Sequence, residues 1–531
     1  MTGQKHTGSF YTPTLIAKFI VERVVNKIKL KDFSVLEPSV GDGVFIKEIL
    51  LNRKISKKNI DITAVEIVEE EFHKVANITT PPNIFLDVIH NDFLRFQQNT
   101  NKKYDLIIGN PPYIKRTLLS EEQSNLCSEI TNSYAVKNAS VKNIWSSFLL
   151  ASFKLINDKG IIALILPSEL LQVSYAEVLR NYLLENFERV EIFTFSNLVF
   201  KSCKGQDTII LIAEKKAKEK GLFFFNIDDI NEQPSITNSV KHDTSSQLKW
   251  TSHVLDIEEI ELIENLSAQL KKISDFCTSK TGIVTAANDF FIINEKKVKE
   301  LKIKKKFYKP ILSKSSNLPK GILFNSDDLK QLIQQEVPSY LLDLNTKEKL
   351  FNEELQEYIS YGERIFLHQR YKMLKRFFWY QVPNIGTYSP VLFFKRCHNF
   401  PRIILNNANV LATDSAYLVN PHENINPDSL VYSFYNSLTL AMAEIQGRSY
   451  GGGVLELTPS EFKSLPLPYL FHAKEDILIL NELFKNESDI SIILEKNDHI
   501  LLKHYFPEIT ECTLNKIKII REKLVTRRQR L

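Results

Sequence analysis

The first 215 or so residues alternate short apolar runs with stretches of helical spacing. The runs fall at 33–36, 60–65, 84–89, 104–108, 160–166, 190–195 and 208–213; helical spacing appears at 44–51, 143–156 and 175–187. Strand–helix alternation predicts right-handed crossover units and a mostly parallel sheet with helices on both faces. The last two runs have no helical stretch between them and predict an antiparallel hairpin at the sheet edge. A charged stretch at 214–220 and a polar, Ser/Thr/Asn-rich stretch at 233–246 follow. They place a domain boundary at 245/246. Beyond it, apolar and polar pieces alternate irregularly to about 475, as in a mixed α+β domain, and 476–531 reads as a helical, basic extension.

Composition narrows the class. The chain has 531 residues, 43% hydrophobic and 25% charged, which is an ordinary globular balance. The longest apolar run, around 160–167, is far short of the ~20 residues of a membrane helix. The opening MTGQKHTGSF has no apolar core, so no signal peptide is expected. The five cysteines are scattered, with no Cys-x-x-Cys. That pattern argues for a reducing cytosol and against a disulfide framework or a metal site. A net charge of +5 says little until its distribution is seen.

Four clusters carry candidate chemistry. In Val35-Leu-Glu37-Pro38-Ser-Val-Gly41-Asp-Gly43, a strand runs through Gly-x-Gly into a helix. This is the way α/β folds bring backbone close to a nucleotide-like ligand, although a tight structural turn reads equally well. The third glycine of the dinucleotide fingerprint is replaced by Ile46, which leaves room for other adenosyl ligands. Glu66 ends the second strand, 23 residues beyond Gly43, where an acid can take both ribose hydroxyls. Asp92 and Phe93 end the third strand, a carboxylate for an adenine amino group and a ring to pack on it. Taken singly, Glu66 and Asp92 read more readily as solvated strand-end acids.

The most specific cluster is Asp105-Leu-Ile-Ile-Gly109-Asn110-Pro111-Pro112-Tyr113. Two prolines remove two backbone donors, fix φ near −65° and push their predecessors into extended geometry. What remains is a stiff turn presenting two acceptors, the Asn110 side-chain oxygen and the Pro111 carbonyl. A planar amino group with two N–H donors satisfies both, and Tyr113 offers a face for a flat ring.

In this order the clusters resemble a class I S-adenosylmethionine-dependent DNA methyltransferase acting on the N6 amine of adenine. The resemblance is to the γ order, the TaqI-like branch of bacterial restriction–modification systems. It implies a Rossmann-like catalytic domain over 1–245, a mostly parallel seven-stranded sheet with an antiparallel edge strand, and a target-recognition domain over 246–475. Tyr11, Thr12 and Pro13 resemble the family's N-terminal cofactor-contacting motif. Glu37, Pro38, Gly41 and Gly43 match its methionine-binding loop, and Glu66, Asp92 and Phe93 its ribose and adenine contacts. Asn110 to Tyr113 match the catalytic tetrad. Phe200 resembles the phenylalanine that packs on the flipped adenine, with Phe195 as a competitor. The stretch from Thr281 to Phe291 resembles the opening of the recognition domain, with Ala286 where a glycine is expected, and 447–459 resembles a segment near its end. The resemblance implies the cofactor S-adenosylmethionine, no metal, duplex DNA as partner and a bacterial cytoplasmic setting. The motifs begin at Tyr11, leaving no room for a preceding nuclease domain, so a separately encoded endonuclease is an expected partner. Methyltransferases for RNA bases and glutamine side chains share the tetrad and stand as alternatives, as does a non-catalytic DNA-binding protein.

Residues 361–402 hold eight Lys/Arg and one acid, Glu363, interleaved with Tyr371, Phe377, Phe378, Trp379 and Tyr380. Clustered cations among aromatics form a nucleic-acid footprint. The reading here is a core strand at 377–380, with Arg364, Arg370, Lys372, Lys375, Arg376, Lys395 and Arg396 on phosphates. The tail, 516–531, carries seven Lys/Arg and one acid. It reads equally as a phosphate-tracking helix or a solvated helix end.

Overall fold

The structure is a computed structural model. It describes residues 11–529 except 56–57, 135–141, 196–206, 228–235, 243–248, 347–350, 451 and 488. The chain divides into two compact units, one ending at Ile257 and the second beginning at Glu258.

The first unit is built on one sheet. Its strands are β1 (Asp32–Glu37), β2 (Asn59–Glu66), β3 (Ile84–His90), β4 (Tyr104–Gly109), β5 (Ile156–Pro167), β6 (Arg189–Phe195), β7 (Thr208–Glu214), β8 (Gly221–Ile227) and β9 (Ile236–His242). They lie in the order β3-β2-β1-β4-β5-β7-β6-β8-β9. Pairing is parallel from β3 to β5. β7 runs antiparallel to both β5 and β6, β8 is parallel to β6, and β9 is antiparallel to β8. The fold is Rossmann-like, with two corrections to the sequence expectation. The sheet has nine strands rather than seven, and β7 is an interior strand rather than an edge. The cause lies in Leu222–Phe225, four consecutive buried residues that need cover on both faces. They attach beside β6 and extend the sheet past the hairpin.

Successive residues along the inner strands feed opposite cores. Val35, Leu106 and Ile108 join a core with Ile16, Ile20, Phe45 and Ile49 from α1 (Thr14–Val25) and α2 (Val44–Leu51). Leu36 and Ile107 join the other, with Leu94, Leu126, Trp145 and Leu183. Those four come from α4 (Phe93–Asn99), α5 (Glu121–Ser133), α6 (Trp145–Leu155) and α8 (Glu177–Asn186); α3 (Glu69–Ala76) and α7 (Glu169–Gln172) complete the helices of this sheet. Two-sided burial is why the runs are continuously apolar instead of alternating. The strand order reverses between β1 and β4, so their carboxyl ends open a crevice at the switch point, where doubly wound sheets bind ligands.

The second unit contains a five-stranded and a four-stranded sheet. The central strand of the larger one, Val391–Phe394, pairs antiparallel with Arg402–Asn406 and Ala416–Pro421. The unit closes with helices Lys474–Asn486, Ile490–Tyr505 and Glu511–Gln529. These are integral to it rather than a separate extension: Leu514, Ile517, Ile520 and Leu524 of the last helix are buried. Among the described residues no helix is long and apolar enough to cross a membrane.

Candidate active site at the switch point

A cavity of about 330 Å³ lies at the carboxyl ends of β1, β2, β3 and β4. Its size suits a nucleoside-sized ligand. Each wall has a local cause. The chain leaves β1 at Glu37 and turns through Gly41 and Gly43, both with positive φ (53° and 76°), a geometry that glycine adopts without strain. Gly43 then serves as the N-cap of α2. The turn is pinned from the neighbouring strand end. Glu66 accepts from Gly41 N at 2.8 Å with one carboxylate oxygen, and from Ile67 N and Val68 N at 3.0 and 2.8 Å with the other.

Asp92 caps α4, accepting from Leu94 N at 2.8 Å, and its second oxygen accepts from Gln123 Nε2 at 3.1 Å. The turn after β4 is tied to the β1 loop by Ser39, whose hydroxyl donates to the Asn110 carbonyl at 3.2 Å. The Asn110 amide group is held from two sides. Its Nδ2 donates to Thr12 Oγ1 at 3.2 Å, and its Oδ1 accepts from the Tyr113 hydroxyl at 3.0 Å. Tyr11, whose hydroxyl donates to Glu71 Oε1 at 2.9 Å, closes the N-terminal side.

Glu37 is the electrostatic anomaly. It is 1% exposed, faces the cavity, and its Oε2 finds no hydrogen-bond partner among the described residues. Burial, with Asp42 and Glu66 nearby, pushes its carboxyl well above the usual range. A buried carboxylate without a partner is costly, so the group favours its protonated form, and a cation or donor delivered by a ligand would suit its Oε2. S-adenosylmethionine carries such a group in the ammonium of its methionine part, and the residues present fit it.

The structure therefore brings Tyr11, Thr12, Glu37, Pro38, Gly41, Glu66, Asp92, Phe93, Asn110 and Pro112 to one cavity. Others do not line it. Pro13 caps α1 instead, its carbonyl accepting from Ile16 N and Ala17 N. Gly43 faces Val75 and Ile78 of the neighbouring segment. Pro111 is buried. Tyr113, expected as a stacking face, is 8% exposed and belongs to the core, its hydroxyl also 3.1 Å from the Ile165 carbonyl. Phe200 lies outside the described residues. Sequence reasoning missed Gln123, Ile144 and Phe148, which line the cavity from α5 and the start of α6. Phe148 packs against Phe93 with ring centroids 4.9 Å apart. No spacing rule links these residues to the strand ends; only the fold of the α5–α6 pair over the crevice does.

The basic segment departs further from expectation. Residues 371–380 form turns, not a strand. Trp379 and Tyr380 turn inward, while Tyr371 and Phe377 stand exposed. Several cations are already engaged. Arg376 donates to the carbonyls of Thr285 and Trp379 at 2.7 and 3.2 Å, and its burial lowers its pKa. Arg370 donates to the Ala286 carbonyl at 3.1 Å, and Lys375 to the Tyr371 hydroxyl at 2.6 Å. Arg364 pairs with Glu357 at 2.7 Å and Arg396 with Glu456 at 3.2 Å. Arg376 is thus a structural tie rather than a phosphate contact. Lys372 is exposed and Lys395 half-buried.

A Rossmann-like sheet with a switch-point cavity, glycine turn, strand-end acids and an Asn-Pro-Pro-Tyr turn defines a class I methyltransferase that uses S-adenosylmethionine. Residues 26–200 match the Eco57I restriction-modification methylase family, and residues 247–502 match the C-terminal domain of the type II methyltransferase M.Eco57I. The chain belongs to the methyltransferases of restriction–modification systems. It is 26% identical over 534 aligned residues to the type II methyltransferase M.AccI of Acinetobacter calcoaceticus, covering 94% of each chain. It is 23% identical to M.BanIII of Aneurinibacillus aneurinilyticus, covering 92% of this chain and 94% of that one. The fold is shared with the Type IIL restriction-modification enzyme MmeI, solved in complex with DNA, at a TM-score of 0.64 and 14% identity, covering 99% of this chain and 80% of that one.

Proposed function

We propose that the chain methylates the N6 amine of an adenine in duplex DNA at a specific sequence, as the modification enzyme of a bacterial, cytoplasmic restriction–modification system of the γ order. In this reading the first unit performs methyl transfer and the second recognises DNA. A separately encoded endonuclease is the expected counterpart.

The single observation that carries the reading is the Asn110 amide, fixed from two sides on the wall of the switch-point cavity. An exocyclic amine is a poor nucleophile because its lone pair is delocalised into the ring. An acceptor on its hydrogens favours a pyramidal nitrogen and stabilises the positive charge that develops there. In this reading Asn110 Oδ1, which accepts from the Tyr113 hydroxyl, also accepts from the amine, since a carbonyl oxygen can take two hydrogen bonds. The family resemblance makes the Pro111 carbonyl the second acceptor, although Pro111 itself is buried beside the cavity rather than lining it. S-adenosylmethionine, when bound, supplies the electrophilic methyl. Around it Glu37 holds the ammonium, Glu66 the ribose, and Asp92 with Phe93 the adenine. The target base is buried within a duplex and has to be extruded, at a cost of a few kcal/mol, for its amine to reach Asn110.

The test is radiolabel transfer from the cofactor to duplex DNA, structured RNA and protein, followed by nucleoside analysis. N6-methyladenine in DNA is the expected product. Label confined to RNA or to glutamine overturns the DNA assignment. Sequencing DNA from cells expressing the protein identifies the recognised site.

A further inference from the structure

Between the helix Glu353–Arg364 and the strand Val391–Phe394, the loop 365–379 turns a row of large apolar side chains outward. Phe377 is 89% exposed, Tyr371 72% and Leu374 69%. Burying such groups is normally favourable, so leaving several together in water marks an interaction site.

The loop is nonetheless tied down at both ends. Two arginines clamp it to the turn at 284–286: Arg376 to the Thr285 carbonyl and Arg370 to the Ala286 carbonyl. At its far end Trp379 Nε1 donates to Glu363 at 3.1 Å. Beneath the tip stands an aromatic column. Phe377 meets Phe378 edge-on at 4.7 Å, and Phe378 stacks on buried Tyr380 at 5.4 Å with an interplanar angle of 9°. Phe366, at the loop's entry, holds φ at 59°, a strained conformation for a bulky residue. Such strain persists only where the surroundings impose it, and it clusters at functional positions.

Charge identifies the occupant. Residues 361–380 contain five Lys/Arg and one acid, Glu363, which is engaged by Trp379; Arg364 pairs with Glu357 and Arg370 and Arg376 with carbonyls, so the exposed Lys372 and Lys375 are the cations turned to a partner. Exposed aromatics suit a protein or a nucleic-acid partner, but the lysines among them argue against a protein–protein core, from which lysine is depleted. It is the composition of proteins that push apolar wedges into DNA while cations hold the flanking phosphates.

We propose that the loop 365–379 is a preformed wedge that inserts Phe377 between two base pairs of the bound duplex, with Leu374 on the adjoining sugars and Lys372 and Lys375 on the flanking phosphates. The wedge unstacks one base step and bends the DNA. This rests on the reading of the chain as a DNA methyltransferase.

The experiment uses the full-length protein and a 30-base-pair duplex carrying the sequence it methylates, end-labelled for energy transfer and substituted with 2-aminopurine along the site. The wild type is expected to bend the duplex and to raise 2-aminopurine emission at one step outside the methylated base. Phe377→Ala should abolish both signals and weaken DNA binding about 5- to 100-fold, with the salt slope unchanged. Leu374→Ala should weaken binding less. The pair Lys372→Ala and Lys375→Ala should flatten the slope of log affinity against log salt by about 1–2. Equal bending, emission and affinity for Phe377→Ala and wild type overturn the wedge while methylation of DNA stands. So does a Phe377→Ala effect confined to self-association in light scattering. Failure of the wild type to bind or methylate any duplex overturns both readings.

Discussion

The hydroxyl of Tyr113 donates to the side-chain oxygen of Asn110 at 3.0 Å. With the Asn110–Thr12 bond at 3.2 Å, it fixes which edge of the amide faces the cavity. Asn110→Ala removes the acceptor that the proposed chemistry needs and leaves the rest of the wall standing. Methyl transfer in a single-turnover assay should fall about 10²–10³-fold, with cofactor affinity unchanged. Tyr113→Phe removes one neutral hydrogen bond, net ~0.5–1.5 kcal/mol, and should slow transfer only about 2- to 10-fold. Near-wild-type turnover of Asn110→Ala would remove this residue from the mechanism.

Glu66 has two separable duties. Its three backbone contacts hold the glycine turn against the end of β2, and its remaining lone pair is free for a ribose hydroxyl. Glu66→Ala leaves three N–H groups without their acceptor, so it should lower stability by about 1–3 kcal/mol in thermal melts, besides weakening cofactor binding. Calorimetry separates the two effects. A lower melting temperature with intact cofactor affinity would confine Glu66 to the structural duty.

Much of this arrangement is legible in the chain. The seven apolar runs from 33 to 213 all become strands of the sheet; the inner ones are buried on both faces and so stand out as continuous, whereas edge strand β3 leaves Phe85 67% exposed. The site clusters are legible because they sit at strand ends, where turn chemistry demands particular residues. Ala286 illustrates this from the other side: a glycine is expected there, and its φ is 65°. What fails to show is pairing at a distance. Leu222–Phe225 is apolar enough for a strand, yet charged residues before it and polar residues after it read as a boundary. Phe377 and its neighbours look like core by composition. Nothing local reveals that the arginines among them are spent on carbonyls almost a hundred positions earlier.

Glu37 predicts a pH signature with a definite sign. Its folded-state pKa lies well above the ordinary 4.5, through burial first and the nearby acids second. The folded form therefore holds the proton more tightly than the unfolded one. The associated stability is present below about pH 4.5 and is lost as pH rises through the folded value. Glu37→Gln has no such loss. Its melting temperature should equal that of the wild type at pH 4 and exceed it at pH 8, both without cofactor. Cofactor affinity should move the other way, about 10- to 100-fold weaker at pH 8, because the ammonium loses its charged partner. Wild-type binding below the folded pKa should release a proton, seen as a dependence of the calorimetric heat on buffer ionisation enthalpy. A melting difference that does not change with pH would mean that Glu37 is not the titrating group.

The basic tail, like the arginines of the loop 365–379, has charges that are already used. Lys516 pairs with Glu258, Lys518 with Glu495 and Lys523 with Glu259. Arg528 is 3% exposed, with a fully buried side chain, and donates to both oxygens of Glu444 at 2.8 and 2.9 Å. It also donates to the carbonyls of His398, Asn399 and Gly453. The sequence offers a phosphate-tracking helix or a solvated helix end for 516–531; with Ile517, Ile520, Leu524 and Arg528 buried it is instead a structural helix. Arg528→Ala leaves a buried, uncompensated carboxylate and should cost about 3–5 kcal/mol in chemical denaturation of the intact chain. Pairing Arg528→Met with Glu444→Leu removes both charges and should restore most of that loss. At temperatures where the variants remain folded, the salt slope of DNA affinity should match the wild type. A slope flattened by about 1 in Arg528→Ala, with little loss of stability, would return this arginine to the phosphate backbone.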